Sequence, residues 1–146
     1  MLSNLILAIP LIVLCMFLQA MMVAVAVRYY SWKSHQTRQH DSMVHDVGIL
    51  STIMIILLLG NFIQVVAWAG LFVYLDEFTR LSNAVYHSAV NFATLGYGDV
   101  VMSDKHKLLG PLEAANGAIM FGVSTAIMVG ATQDMLSKKI SSQHIR

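Results

Sequence analysis

Residues 94–99 are Thr94-Leu95-Gly96-Tyr97-Gly98-Asp99, and the rest of this 146-residue chain is arranged around them. An ordinary strand alternates the direction of its carbonyls. A stretch whose carbonyls all face one axis needs an unusual backbone conformation at every second residue. Gly96 and Gly98 supply it, because glycine tolerates positive φ. The run closes a segment, 81–98, that carries no Asp, Glu, Lys or Arg yet contains Ser82, Asn83, His87, Ser88, Asn91 and Thr94. Such a segment is apolar enough to be buried, and too short and polar to face lipid along its length. It predicts a short helix over about 83–93, capped by Ser82, and then a glycine-punctuated extended stretch.

The sequence on either side belongs in a membrane. Hydrophobic residues make up 57% of the chain and charged ones 12%, with mean hydropathy +0.66. A soluble domain carries about 25% charged residues, so too little polar surface is available to cover a globule in water. Charges are also missing from 1–27, 47–75 and 114–133, and a bilayer crossing takes about 20 apolar residues. Spans are expected at 5–27, 47–75 and 112–136, with Pro111 as the first helical residue of the last and a loop over 99–110. Irregular backbone between such spans survives at membrane depth only where protein or a water-filled cavity covers it. This composition excludes an ordinary soluble enzyme, a disordered chain and a disulfide scaffold, since Cys15 is the sole cysteine. Net charge is +1, and no basic run points to nucleic acid. Ala24-Val25-Ala26 imitates a signal-peptide cleavage site. Residues 1–4 hold no basic side chain, however, and the apolar run is long for a signal peptide, so a retained helix is expected.

Orientation follows from the basic residues. The polar connector 28–46 and the tail 137–146 hold Arg28, Lys33, Arg38, Lys138, Lys139 and Arg146, against Arg80, Lys105 and Lys107 on the other side. The positive-inside rule places connector and tail in the cytoplasm, and the N-terminus and 81–110 outside.

Thr94-Leu95-Gly96-Tyr97-Gly98-Asp99 resembles the signature of potassium channels, Thr-Val/Ile-Gly-Tyr-Gly followed by Asp. Five fixed positions match by chance in roughly one such chain in ten thousand, taking Gly as about 7% of residues. The resemblance covers about 47–136 and is similar to the outer helix, pore helix, filter and inner helix of the two-transmembrane potassium channel core. The stretch 109–117, Leu109-Gly110-Pro111-Leu112-Glu113-Ala114-Ala115-Asn116-Gly117, also resembles small bacterial members of that family. The span 5–27 has no counterpart in the two-helix core.

The physics of the run agrees with that resemblance. Stripping water from K⁺ takes a ring of oxygens that replaces its hydration shell. The carbonyls of Thr94, Leu95, Gly96 and Tyr97 are expected to form the stacked K⁺ sites, and the Thr94 hydroxyl adds an oxygen below its own carbonyl. The resemblance implies that the Gly98 carbonyl faces the outer mouth. Leu95 and Tyr97 side chains then point away from the axis and brace the ring, and Asp99 ties the filter to the helix around it. The negative end of the pore-helix dipole, near Ala93, favours a cation at the point of greatest dehydration. One chain supplies one strand of oxygens, so a closed homotetramer is implied. Three positions depart from the family pattern. Leu95 replaces Val or Ile. Val90 stands where some bacterial channels place a Glu that pairs with the filter Asp. Tyr86 and His87 stand where many members have a Trp pair.

Other residues carry two readings each. His87, Val90, Asp99 and Glu113 are candidate filter supports, and Glu113 is read either as a brace behind the filter or as an outer cation attractor. Gly117 and Gly122 are candidate gating hinges, while Gly122, Ala126 and Gly130 at four-residue spacing also read as a helix-packing stripe. Ser124, Thr125 and Thr132 either line an inner cavity or bond back to their own helix. Asn61 and Gln64 share a helix face and are expected to form interhelical hydrogen bonds. His35, His40, His45 and His144 read as solvated loop histidines, with a pH-sensing gate as the second reading. Trp32, Trp68, Phe72 and Tyr74 read as lipid-facing or interfacial. No row of Arg marks a voltage sensor, and no motif for catalysis, ATP or zinc appears.

The expected architecture is an all-α integral membrane protein, with three transmembrane helices, a re-entrant pore helix and selectivity filter, and a tetrameric pore. Residues 1–46 form the first helix and connector, 47–136 the pore domain and 137–146 a short cytoplasmic tail. The expected function is passive, K⁺-selective conduction in a multi-pass protein of the cell membrane, with membrane lipid and other copies of itself as partners. No cofactor, enzymatic role or nucleic acid is expected, and K⁺ is the permeant ion. The alternatives are a weakly selective cation channel and a non-conducting membrane subunit that associates with another channel.

Overall fold

The computed structural model describes residues 2–36 and 43–143. Over those residues the chain is helical without strands: α1 (Leu2–Gln36), α2 (Met43–Tyr74), α3 (Leu81–Phe92) and α4 (Leu109–Gln143). Three of them, over Leu2–Ser34, Val44–Tyr74 and Leu109–Ser141, are long and apolar enough to cross a membrane. At 1.5 Å per residue, α1 and α4 each run about 52 Å, well beyond a hydrocarbon core of about 30 Å.

The helix ends differ from the sequence expectation. α1 runs on past residue 27 to Gln36, and α4 starts at Leu109 and continues to Gln143, so much of the expected polar connector and tail is helix. Polarity alone does not stop a helix; it only moves the helix out of lipid, and both extensions are bonded to neighbouring helices. Pro111 accordingly lies two residues inside α4, still within the first turn where a missing N–H costs nothing. α3 begins at Leu81, so Ser82 is inside the helix and no side chain caps it. Arg38, His40, His144 and Arg146 lie outside the described residues.

α1 and α4 run parallel, with α2 antiparallel to both. Asn4, Gln19 and Tyr30 of α1 meet Lys105, Ser124 and Asp134 in ascending order. Gln19 also meets Gln64 of α2, while Tyr29 meets Thr52. α3 packs between α2 and α4. The core around it holds Cys15, Trp68, Phe72, Phe78, Phe92, Leu109 and Met120. Trp68 and Phe72 are fully buried, which corrects their reading as lipid-facing; Trp32 and Tyr74 are 56% and 81% exposed. The difference is one of helix face. Composition shows that a residue suits lipid or core equally well, and only the fold of α3 against α2 turns Trp68 and Phe72 inward.

α2 ends in a Schellman motif. The Glu77 N–H bonds to the Phe72 carbonyl (3.1 Å) and the Asp76 N–H to the Val73 carbonyl (3.0 Å), with Asp76 at φ +56. This end points Glu77 at the loop that returns to α4.

Candidate functional site

The α3 terminus repeats the same device, and the candidate filter grows out of it. The Leu95 N–H bonds to the Val90 carbonyl (2.9 Å) and the Thr94 N–H to the Asn91 carbonyl (2.8 Å). Thr94 takes the left-handed position that ends the helix, at φ +59. A β-branched residue rarely adopts it, at a cost of about 1–3 kcal/mol. Gly96 and Gly98 follow at φ +58 and +73, and Leu95 and Tyr97 between them are not left-handed. Every second residue from 94 to 98 is thus left-handed, the alternation expected of a stretch whose carbonyls face one side. Two of the three positions are visible in sequence as glycines. Thr94 is not, because its conformation is dictated by how α3 ends.

The far end of the run is held by consecutive residues of α3. The Tyr86 hydroxyl donates to Asp99 Oδ2 (2.7 Å), and this bond holds the Asp99 carboxyl below the usual carboxylate range. His87 Nδ1–H donates to the Val100 carbonyl (2.8 Å). A carbonyl can only accept, so Nδ1 carries the proton, and Nε2 accepts from the Asn91 amide (2.8 Å). The His87 ring lies 5.5 Å from Phe72 and 5.1 Å from Phe78, centroid to centroid. Val90 meets the run through its backbone carbonyl. With Val at position 90, the side-chain partner of Asp99 is the phenol of Tyr86.

Glu113 is fully buried rather than displayed at a mouth. The Ser88 hydroxyl lies between Glu113 Oε1 and the Val65 carbonyl oxygen, 2.7 Å from the latter, so one contact joins α4, α3 and α2. Asn116 is buried one turn on, beside Cys15 of α1. Gly117 faces the end of α3 so closely that a Cβ there would sit 2.0 Å from the Phe92 carbonyl oxygen. Gly117 is therefore a close-packing position.

Gly122 and Gly130 meet nothing within 4 Å of an added Cβ. With Ala126 they form an exposed stripe, so the packing stripe expected from sequence has no neighbour within the described chain. Ser124, Thr125 and Thr132 each donate to the carbonyl four residues back, at 2.9 Å. Gln64 forms the expected interhelical bond, to Gln19 at 2.8 Å. Asn61 is buried on the same face without a hydrogen bond to Oδ1.

The loop between Asp99 and α4 is fastened to α2 by Glu77. Its Oε2 accepts the Ser103 N–H (2.7 Å), and its Oε1 accepts the Ser103 hydroxyl and His106 Nδ1–H (both 2.6 Å). Burial pushes the Glu77 carboxyl up, but the Ser103 and His106 bonds outweigh it and hold the group below the usual carboxylate range. A depressed folded pKa contributes stability that is present above the unfolded value, about 4.3, and is lost as pH falls through the folded value. Glu77→Gln is expected to remove the part of the acid destabilisation below that value that this carboxyl supplies, and to lower the melting temperature at neutral pH. Melting curves of the two proteins across acid pH check this; parallel curves would refute it.

Thr94–Asp99 are all exposed in the single chain, with Leu95 at 55% and Tyr97 at 65%. A large aliphatic and an aromatic side chain thus stand uncovered between the left-handed positions 94, 96 and 98. Among known proteins, a family model described as ion channel matches residues 61–134, just over half of the chain. The match takes in the latter part of α2, all of α3, the candidate filter and most of α4, and leaves α1 outside. No curated protein and no solved structure matches the chain.

Proposed function

The chain belongs to the ion channel family, and from that premise we propose that it is a potassium-selective channel formed by four copies around a common axis. The observation that carries this reading is the left-handed alternation at Thr94, Gly96 and Gly98. It suits a ladder in which the carbonyls of Thr94, Leu95, Gly96 and Tyr97 replace the water around K⁺. One strand offers oxygens on one side of the ion only, and four related strands close the ring. The exposed Leu95 and Tyr97 fit side chains that neighbouring copies would cover. The C-terminal end of α3 opens directly into Thr94, so its dipole favours a cation there. Tyr86, His87, Val90 and Asn91 hold the two ends of the ladder, and Glu113 braces α3 from behind. α4 lines the inner pore with its small-residue stripe, Gly122, Ala126 and Gly130. Transport is passive. In the cell membrane the Lys and Arg distribution favours a cytoplasmic C-terminus and an outer N-terminus.

The test is the bi-ionic reversal potential of the purified protein in planar bilayers, with K⁺ on one side and Na⁺ on the other. A reversal far toward the K⁺ equilibrium potential is expected. Gly96→Ala and Gly98→Ala should abolish the current or move its reversal toward zero, because an L side chain is strained at either φ. A wild-type reversal near zero would replace this reading with a weakly selective cation pore, and no current at any voltage with a non-conducting subunit.

A further inference from the structure

α1 lies outside the matched region and adds nothing to the candidate filter, yet it carries polar side chains at three depths, each bonded toward α4. Near its start, buried Asn4 donates to the Lys105 carbonyl in the loop leading to α4 (3.0 Å). At mid-depth a directional relay crosses three helices. Gln64 Nε2 of α2 donates to Gln19 Oε1 (2.8 Å), Gln19 Nε2 donates to Ser124 Oγ of α4 (3.0 Å), and the Ser124 hydroxyl donates to the Met120 carbonyl (2.9 Å). Each hydrogen is used once and each acceptor is free to receive it. Gln19 and Gln64 are 2% and 0% exposed. At the other end the Tyr30 hydroxyl donates to Asp134 Oδ2 of α4 (2.5 Å). Lys138 of α4 reaches both that carboxylate (2.5 Å) and Ser34 Oγ of α1 (2.9 Å).

Lipid is as apolar as leucine, so helices in a membrane are not held together by the hydrophobic effect. Close packing and interhelical hydrogen bonds hold them. α1 has both: its buried side includes Ala8, Cys15 and Ala26, and Met22 sits so close to Gly60 of α2 that an added Cβ there would meet its Cγ at 2.6 Å. Because α1 is parallel to α4 and bonded to it at matching depths, the two helices are locked in register along their lengths.

We propose that α1 is a clasp that sets the position of the pore-lining helix, with Gln19 and Tyr30 as positioning residues for the gate. This rests on the reading of the chain as a channel with α4 lining its pore. The Gln19–Ser124 and Tyr30–Asp134 bonds exist together in one conformation, so each stabilises the same gate state. Removing either weakens that state, and both removals move the open-to-closed ratio in the same direction. The filter is held by α3 and is left untouched.

The experiment records Gln19→Leu and Tyr30→Phe in planar bilayers beside the unaltered chain. A shift of about threefold in the open-to-closed ratio for each subunit that moves is expected, the size of an average interhelical hydrogen bond in a membrane. The shift should have the same sign in both variants, with an unchanged bi-ionic reversal potential. Tyr30→Phe deletes a single oxygen and keeps the ring, so it tests the bond without emptying the site. Unchanged ratios, or shifts of opposite sign, would overturn the clasp, and so would an altered reversal potential. Should the unaltered chain carry no current, the channel reading fails separately. The clasp is then read from amide hydrogen exchange in α4, which should quicken in both variants; unchanged exchange overturns it.

Discussion

Gly117→Ala is expected to lose the folded bundle or to melt far below the unaltered chain. The added methyl would lie 2.0 Å from the Phe92 carbonyl oxygen, 2.8 Å from its carbonyl carbon and 3.0 Å from its Cα. These are backbone atoms at the last residue of α3, and no rotamer change moves them aside. α4 and α3 must separate by more than an ångström, and Phe92 lies inside the Schellman turn, residues 90–95, that launches Thr94. Overpacking against mobile side chains costs about 1–3 kcal/mol, and a clash with fixed backbone lies at or above the top of that range. Gly122→Ala is the matched comparison. Its methyl meets nothing within 4 Å, and alanine is favoured over glycine in a helix by about 0.5–1 kcal/mol, so it should fold at least as well. Thermal melting of the two variants in detergent separates them, and equal melting temperatures would refute the packing argument. If Gly122 is a hinge, its alanine variant folds but opens less often; an unchanged open probability removes that role.

Phe72→Ala should combine a large loss of stability with a failing pore. Phe72 is fully buried and sits among three other rings, with centroids 6.0 Å from Trp68, 6.3 Å from Phe78 and 5.5 Å from His87. Emptying such a site costs about 3–5 kcal/mol. The effect reaches further than the cavity, because Phe72 and Phe78 fix the plane of His87, and His87 Nδ1 holds the Val100 carbonyl just beyond the run 94–99. With its ring free to turn, the far end of the run 94–99 keeps Tyr86 on Asp99 and loses the second tether. Lower melting temperature and faster decay of current under maintained driving force are the expected readings. Tyr74→Ala, two residues away and 81% exposed, should change neither. A Phe72→Ala protein whose current persists as long as that of the unaltered chain would show that His87 needs no support from this ring.

Much of this molecule is legible along the sequence, for reasons that are local. Three spans follow from three charge-free apolar runs, since crossing a bilayer is a property of one segment at a time. The short α3 and the unusual backbone after it follow from a buried but polar segment ending in alternating glycines. What no local pattern decides is which face of a helix meets which neighbour. Trp68 and Phe72 suit lipid by composition and are core by packing. Glu113 suits either a pore mouth or a brace, and lies buried against Ser88. Gly117 and Gly122 are equivalent as letters, five residues apart on one helix, yet one touches the Phe92 backbone and the other touches nothing. Thr94 is left-handed because of the way α3 ends, and α1 is bonded to α4 through residues about a hundred positions apart. Hydropathy and glycine content act through single residues and short windows, and so by itself the sequence determined the spans, the short helix and the left-handed positions at Gly96 and Gly98. The tethers, the close approach at Gly117 and the α1–α4 hydrogen bonds depend on pairs of surfaces brought together in three dimensions, and only the tertiary structure decided them.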